Sequence, residues 1–244
     1  MKKNLLLISM FLVVIALMLN ACKKDTTTDP NKSLKPLPTN NYLAGLGHQV
    51  GYPSGRSFVL PSYIHIIGSI RGGEMYKSNN IVDKNKYTGP FPLNLVPKSW
   101  VAYGTGTYIN LYIKFYNALP SPTTLTIPGG LIFCDSLSND TSCGQYQKGF
   151  ILQDVHIPLP ALDTAFIDLQ AYCLNHTLWP SSYNAVYFIG PISMNPNLNQ
   201  IVSIMSSKQP PIGQENNIQQ IIWNVTDYGL NIAPSEVQYL NALP

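Results

Sequence analysis

The residues of this chain best suited to chemistry are its four cysteines, Cys22, Cys134, Cys143 and Cys173. A cysteine thiolate acts as a nucleophile or a metal ligand, and two cysteines can form a disulfide. Cys134 and Cys143 bracket the polar stretch DSLSNDTS, so in an exported protein we expect them to close a small disulfide-bonded loop. Cys22 and Cys173 then need separate explanations.

The other residue types that form catalytic or metal sites show no pattern of this kind. The four histidines, His48, His65, His156 and His176, have no HxH or HExxH spacing, and the cysteines form no CxxC pair. The chain also lacks a GxSxG elbow, a Walker loop and a glycine-rich dinucleotide turn. The sequence therefore predicts a protein that is not an enzyme, with no metal site and no cofactor.

Cys22 follows an N-terminal leader with a basic start, Lys2 and Lys3, and the apolar run LLLISMFLVVIALML. Leu19-Asn20-Ala21-Cys22 resembles the lipobox of bacterial lipoproteins. This resemblance implies that residues 1–21 are a signal peptide and that Cys22 carries acyl chains, which anchor the mature protein to a membrane. A permanent transmembrane helix is the alternative, but the run is shorter than the ~20 apolar residues that a span needs.

The segment 22–41, CKKDTTTDPNKSLKPLPTNN, is polar and is expected to be a flexible tether. Lys23 stands where an aspartate would favour inner-membrane retention of a lipoprotein, so we expect the outer membrane of the cell envelope. Loss of Lys2 and Lys3 leaves 13 of the 15 basic residues against 12 acidic ones. A balance this close to zero argues against nucleic acid as a partner.

A second resemblance involves Cys173. Tyr172-Cys173-Leu174-Asn175 and Ile218-Gln219-Gln220-Ile221-Ile222 resemble the paired motifs of bacterial thioester domains, and the segment from Trp223 to Asp227 looks like the family's helix end. In that family the thiolate attacks the glutamine carboxamide, ammonia leaves, and the thioester captures a nucleophile on a target surface. The resemblance implies that Cys173 and Gln219 are the reacting pair.

The same residues also allow a purely structural interpretation. A buried free cysteine behaves as a small hydrophobic residue, and Cys173 would share its strand face with Ala165, Ile167 and Leu169. Gln219 lies beside an apolar helical stripe, where a surface or capping glutamine is ordinary.

Alternating apolar residues predict the strands of the chain, including the strand that leads into the Tyr172–Asn175 motif. In Tyr108 to Tyr116 the apolar residues fall on one face, and Tyr108, Tyr112 and Tyr116 on the other could stack against sugars or a partner protein. Further strands are predicted over 57–70, with a break at Pro61, over 123–133, with a break at 128–130, and over 150–157 and 164–173. Short strands joined by turns indicate an antiparallel, immunoglobulin-like β-sandwich over residues 42–190.

The apolar period changes after Pro191, where residues 191–244 are expected to form a helical cap. Asn195-Pro196 is a typical helix start, a second helix is predicted from about Glu215 to Thr226, and Pro234 opens a third. The order of strands first and helices last indicates an α+β fold.

The function expected first is non-covalent binding or adhesion by a lipid-anchored envelope protein, with a surface protein or a glycan as partner. The alternatives are covalent attachment through Cys173 and Gln219, and a structural role within an envelope complex.

Overall fold

The computed structural model describes residues 43–73, 100–139 and 141–244. The predicted leader, the lipid-carrying Cys22 and the tether lie outside the described residues, so these stay predictions. Within the described part of the chain, no helix has the length and apolar character needed to cross a membrane.

The described residues contain thirteen strands and, after them, three helices. The strands are β1 Gly55–Arg56, β2 Ile64–Ile66, β3 Ile70–Gly73, β4 Val101–Tyr103, β5 Ile109–Asn117, β6 Thr123–Ile127, β7 Leu131–Asp135, β8 Ser138–Asn139, β9 Ser142–Cys143, β10 Gly149–Phe150, β11 Val155–Leu159, β12 Thr164–Cys173 and β13 Val186–Ser193. The helices are α1 Pro196–Met205, α2 Glu215–Thr226 and α3 Pro234–Ala242. This order confirms the predicted α+β class.

Nine of the strands form one mostly antiparallel sheet in the order β2-β5-β3-β13-β7-β10-β12-β4, with β1 added beside β13. Only β4 runs parallel to its neighbour, β12. Because β5 also pairs with β12, the hydrogen-bonded strands close into a ring. Strands β6 and β11 form a separate small sheet, as do β8 and β9. The pairing is therefore one closed sheet rather than two plainly separate ones, and the immunoglobulin-like sandwich stays a prediction.

Strands β5 and β12 pair over eight positions, from Thr164 opposite Tyr116 to Ala171 opposite Ile109. Their apolar residues alternate and point into one buried cluster, which we call the inner core. Cys173 belongs to this inner core together with Ile167 and Leu169, which confirms that these three residues share a strand face.

A second buried cluster, the helical core, joins the three helices to the sheet. Asn195 caps α1 through a 2.9 Å hydrogen bond from the Leu198 backbone N–H to its side chain, as the sequence predicts. Tyr172 and Leu174 point into the helical core, whereas Cys173 between them points into the inner core. The end of β12 thus lies between the two cores.

One predicted strand is wrong in its extent. The stretch 150–157 is divided between β10, which pairs with β7 and β12, and β11, which pairs with β6. The chain leaves the large sheet between them, where the Ile151 carbonyl accepts a 2.7 Å hydrogen bond from the Gly130 N–H. The predicted break at 128–130 is confirmed, and Gly130 has a φ of 86° there.

Candidate functional site

The side chain of Gln219 lies directly on the main chain of Cys173. Its Oε1 accepts a 2.8 Å hydrogen bond from the Cys173 backbone N–H, and its Nε2 donates a 2.7 Å hydrogen bond to the Cys173 carbonyl oxygen. Both residues have 0% of their surface exposed. The structure thus brings together the two residues that the motif resemblance singles out, although they are far apart along the chain.

The fold holds each of the two residues by regular secondary structure. Cys173 is the last residue of β12, and Gln219 lies on the face of α2 that also carries the buried residues Ile218 and Ile222. The apolar stripe of α2 packs into the helical core, which presents Gln219 to the end of the strand. Gln219 is therefore a buried residue and not the surface or capping residue of the structural interpretation.

Asn175 fixes the turn that follows Cys173. Its backbone N–H donates to the Cys173 sulfur at 3.3 Å, and its Nδ2 donates to the carbonyl oxygen of Gly47 at 2.7 Å. Gly47 has a φ of 56°, and a Cβ there would lie 2.1 Å from the carbonyl oxygen of Thr226. Only glycine lets the chain pass between this turn and the end of α2.

Asp227, directly after α2, joins the helix to the same turn. Its Oδ1 accepts a 3.0 Å hydrogen bond from the His176 backbone N–H, and its Oδ2 accepts one from the Thr226 hydroxyl at 3.0 Å. Burial raises the pKa of this carboxyl, while the hydrogen bonds from Thr226 and His176 and the nearby His48 act in the opposite direction. The Nε2 of His48 is 3.9 Å from Oδ1.

The thiol of Cys173 is strongly desolvated. Burial raises its pKa to about 12, and the indole N–H of Trp223 and the backbone N–H of Asn175 oppose this rise. At neutral pH the sulfur therefore carries its proton. A neutral, buried sulfur is shielded from both water and oxidants.

Three rings cover the inner core beside Cys173, and we call them the aromatic cover: Tyr108, His176 and Trp223. Trp223 packs against the inner core, with its ring edge-on to Tyr108 at 5.2 Å and to His176 at 4.7 Å between centroids. The Tyr108 hydroxyl donates a 2.8 Å hydrogen bond to Asn216 on α2. His176 is exposed and Trp223 is half-buried, so the cover lies between the inner core and solvent.

This position of Tyr108 differs from the prediction of a shared tyrosine face. Tyr108 precedes β5, whose first residue is Ile109, and its ring packs on Trp223. Tyr112 lies against Trp100 at 4.9 Å, and Tyr116 stacks on His65 at 6.4 Å. Only Tyr112 and Tyr116 therefore share a strand face, because strand alternation extends no further than the strand itself.

The other two described cysteines are free thiols in the structure, and their disulfide stays a prediction. Cys134 is buried in β7, and burial raises its pKa to about 12. Lys148 lies close to both, fully buried, with its ammonium donating a 2.9 Å hydrogen bond to the Cys143 carbonyl oxygen. Burial lowers the pKa of Lys148, and the two cysteines and Asp135 oppose this change.

The sequence named Asn175, Trp223 and Asp227 as parts of the two motifs but did not show what they contact. Asn175 binds the Cys173 sulfur, Trp223 packs against the inner core, and Asp227 holds the turn after Cys173. Among the described residues, no group of three His, Cys, Asp or Glu side chains is arranged to hold a metal ion. No known family model, curated protein or solved structure matches the chain.

Proposed function

We propose that this protein is a lipid-anchored attachment protein of the cell envelope that joins a target covalently through a thioester between Cys173 and Gln219. The observation that carries the proposal is the contact between the Gln219 carboxamide and the Cys173 main chain, made by two hydrogen bonds within a fully buried site. The motif resemblance at both residues supports the same pair.

The contact is suited to thioester formation because it stabilises the charge that the reaction creates. The Cys173 sulfur attacks Cδ of Gln219, and negative charge develops on Oε1. That oxygen already accepts the 2.8 Å hydrogen bond from the Cys173 N–H, which acts as an oxyanion donor. The C–N bond then breaks, and the amide nitrogen leaves as ammonia with the thiol proton.

Burial protects the product until a target arrives. The thioester lies where Cys173 and Gln219 have no exposed surface, so water has little access to its carbonyl carbon. A nucleophile of the target, such as a primary amine, attacks Cδ and the C–S bond breaks. Cδ is then bonded to the target, and the sulfur regains a proton as a thiol. The site is used once, which fits a protein that is not an enzyme.

The predicted lipid anchor would place the thioester at a membrane surface. A lipid on Cys22 and a polar tether over 22–41 would hold the domain at a membrane surface and let it reach outward. A surface protein offers amines, and a glycan offers hydroxyl groups, as the nucleophile. A covalent bond then keeps the two surfaces joined after any non-covalent contact has dissociated.

The mass of the full-length protein, extracted from membranes in detergent, tests the proposal. The expected mass of an unmodified wild type is the measured mass of the Gln219→Ala variant, corrected for the difference between alanine and glutamine. The measured mass of the wild type should be about 17 Da lower than this, because one ammonia is lost in thioester formation. The lipid is common to both proteins and cancels in the comparison. Incubation with methylamine should add the amine to Gln219 in the wild type and should leave Cys173→Ala unmodified.

An unmodified wild-type mass and no capture of methylamine would overturn the proposal. Gln219 would then serve only to clamp α2 to the end of β12. Non-covalent binding, the function expected first from the sequence, would be the remaining hypothesis.

A further inference from the structure

The indole Nε1 of Trp223 is a buried donor that lies near the Cys173 thiol but, among the residues that the structure describes, makes no hydrogen bond of regular geometry in the resting site. Leaving a buried N–H unpaired costs free energy, and such groups are rare enough in proteins to need an explanation. A catalytic role is one such explanation.

The effect of the indole N–H on the Cys173 thiol associates the two groups, and the fold agrees with this placement. Trp223 follows Gln219 by four residues on α2, and residues spaced in this way lie on one helix face. Gln219 binds the main chain of Cys173, while Trp223 packs against the inner core into which Cys173 points. The two side chains therefore bracket Cys173, one on its main chain and the other beside its thiol.

The Tyr108 and His176 rings keep the indole in this position. Both contact it edge-on, and Tyr108 is itself bonded to Asn216 of the same helix. An N–H held in place before the reaction needs no reorganisation when charge appears nearby.

We propose that Trp223 is a catalytic residue of the thioester chemistry, whose indole N–H donates a hydrogen bond to the Cys173 sulfur whenever that sulfur is negatively charged. This inference rests on the proposed function. A neutral thiol or thioester sulfur is a weak acceptor, so the hydrogen bond from the indole N–H strengthens when the sulfur becomes charged. The favourable effect of this N–H on the Cys173 thiolate agrees with the proposal.

The sulfur is charged at two points of the reaction. It gains thiolate character as its proton passes to the Gln219 amide nitrogen during the attack on Cδ. It leaves as a thiolate when the C–S bond breaks, and it then takes up the proton of the target amine. An interaction that strengthens only at these points lowers the barrier without stabilising the resting state. The indole thus complements the Cys173 N–H, which stabilises the charge on Oε1.

Trp223→Phe tests the inference because phenylalanine keeps a ring in the aromatic cover and removes the N–H. Capture of methylamine by the full-length variant should be about tenfold slower than in the wild type, the effect of losing one hydrogen bond to a charged group. Trp179→Phe is the matched control, since Trp179 is 69% exposed, and it should react at the wild-type rate. Capture by Trp223→Phe at the rate of this control would overturn the inference while the proposed function stands.

A second measurement does not need the thioester. In a Gln219→Ala background, Cys173 is a free thiol whose reaction with methyl methanethiosulfonate at one mildly alkaline pH reports the amount of thiolate. Adding Trp223→Phe should slow this reaction about tenfold, measured against the Gln219→Ala parent at the same pH. A merely structural role predicts the opposite sign, because a smaller ring opens the cover and speeds the reaction. An unchanged or faster reaction would refute the role of Trp223 even if the wild-type mass showed that no thioester forms.

Discussion

Replacing Gln219 by glutamate should make the stability of this fold depend on pH, in a background in which the proposed thioester cannot form. Cys173→Ala is the background that achieves this, because it removes the sulfur and keeps the backbone N–H and carbonyl that Gln219 binds. A protonated glutamic acid can replace the amide there, with one oxygen accepting and the O–H donating. The carboxylate has no donor for the Cys173 carbonyl, and residue 219 has no exposed surface.

The magnitude follows from the cost of that buried charge. Burial raises carboxyl pKa values by up to 3–5 units, and a rise of only about two units costs ~3 kcal/mol at neutral pH. The folded pKa lies above the unfolded value, so the full stability is present below pH ~4.3 and is lost as the pH rises through the folded pKa. The double variant should therefore match its Cys173→Ala parent near pH 4 and unfold more easily at pH 7.5.

Denaturant unfolding of the full-length proteins in detergent, followed by tryptophan fluorescence, measures the difference from the parent at each pH. Comparison with the parent removes the contribution of every other titrating group. Gln219→Ala in the same background is the control, since it leaves the two Cys173 groups unpaired at both pH values and should lose roughly 2–4 kcal/mol at each. A penalty for Gln219→Glu that is equal at the two pH values, or larger at pH 4, would refute the reasoning.

Three further substitutions test other parts of the structure by the same unfolding measurement. Burial raises the pKa of Asp168 to about 6, so its charge destabilises the fold as the pH rises from ~4 to ~6. Asp168→Asn should remove this pH dependence and stabilise the protein at pH 7 by about 1–2 kcal/mol. No gain in stability at pH 7 would contradict this prediction. Gly47→Ala should cost more than about 2 kcal/mol because its Cβ meets the Thr226 carbonyl at a positive φ; a stability within 0.5 kcal/mol of wild type, the range expected for a surface substitution, would show that this close approach is not needed. Asn195→Ala removes the side-chain cap from Leu198 and should cost about 1 kcal/mol; an unchanged midpoint would mean that the cap contributes nothing.

Local periodicity was enough to locate most of the secondary structure. Strand β12 was predicted over the residues that it occupies, and α2 likewise, because a continuous apolar alternation or stripe needs only one buried face. The division between β10 and β11 escaped prediction. The sequence from β10 to β11 has the local pattern of one strand. The two strands differ only in their partners, because β10 pairs with β7 and β12 and β11 pairs with β6.

The candidate site shows the same limit. The resemblance of the two motifs to thioester domains predicted that Cys173 and Gln219 form a pair. The sequence was equally compatible with an ordinary glutamine on the surface. The structure decided for burial, because the apolar stripe of α2 packs into the helical core and carries Gln219 onto the end of β12.

The sequence by itself determined the candidate pair, the strand that ends in Cys173 and the helix that carries Gln219. Only the tertiary structure decided that the carboxamide binds the Cys173 main chain, that Asp227 holds the following turn, and that Trp223 packs against the inner core into which the thiol points. The physical reason is that strand and helix periods depend on neighbours a few residues away. The contacts of a site join segments distant along the chain, and their positions are set by how the two cores pack.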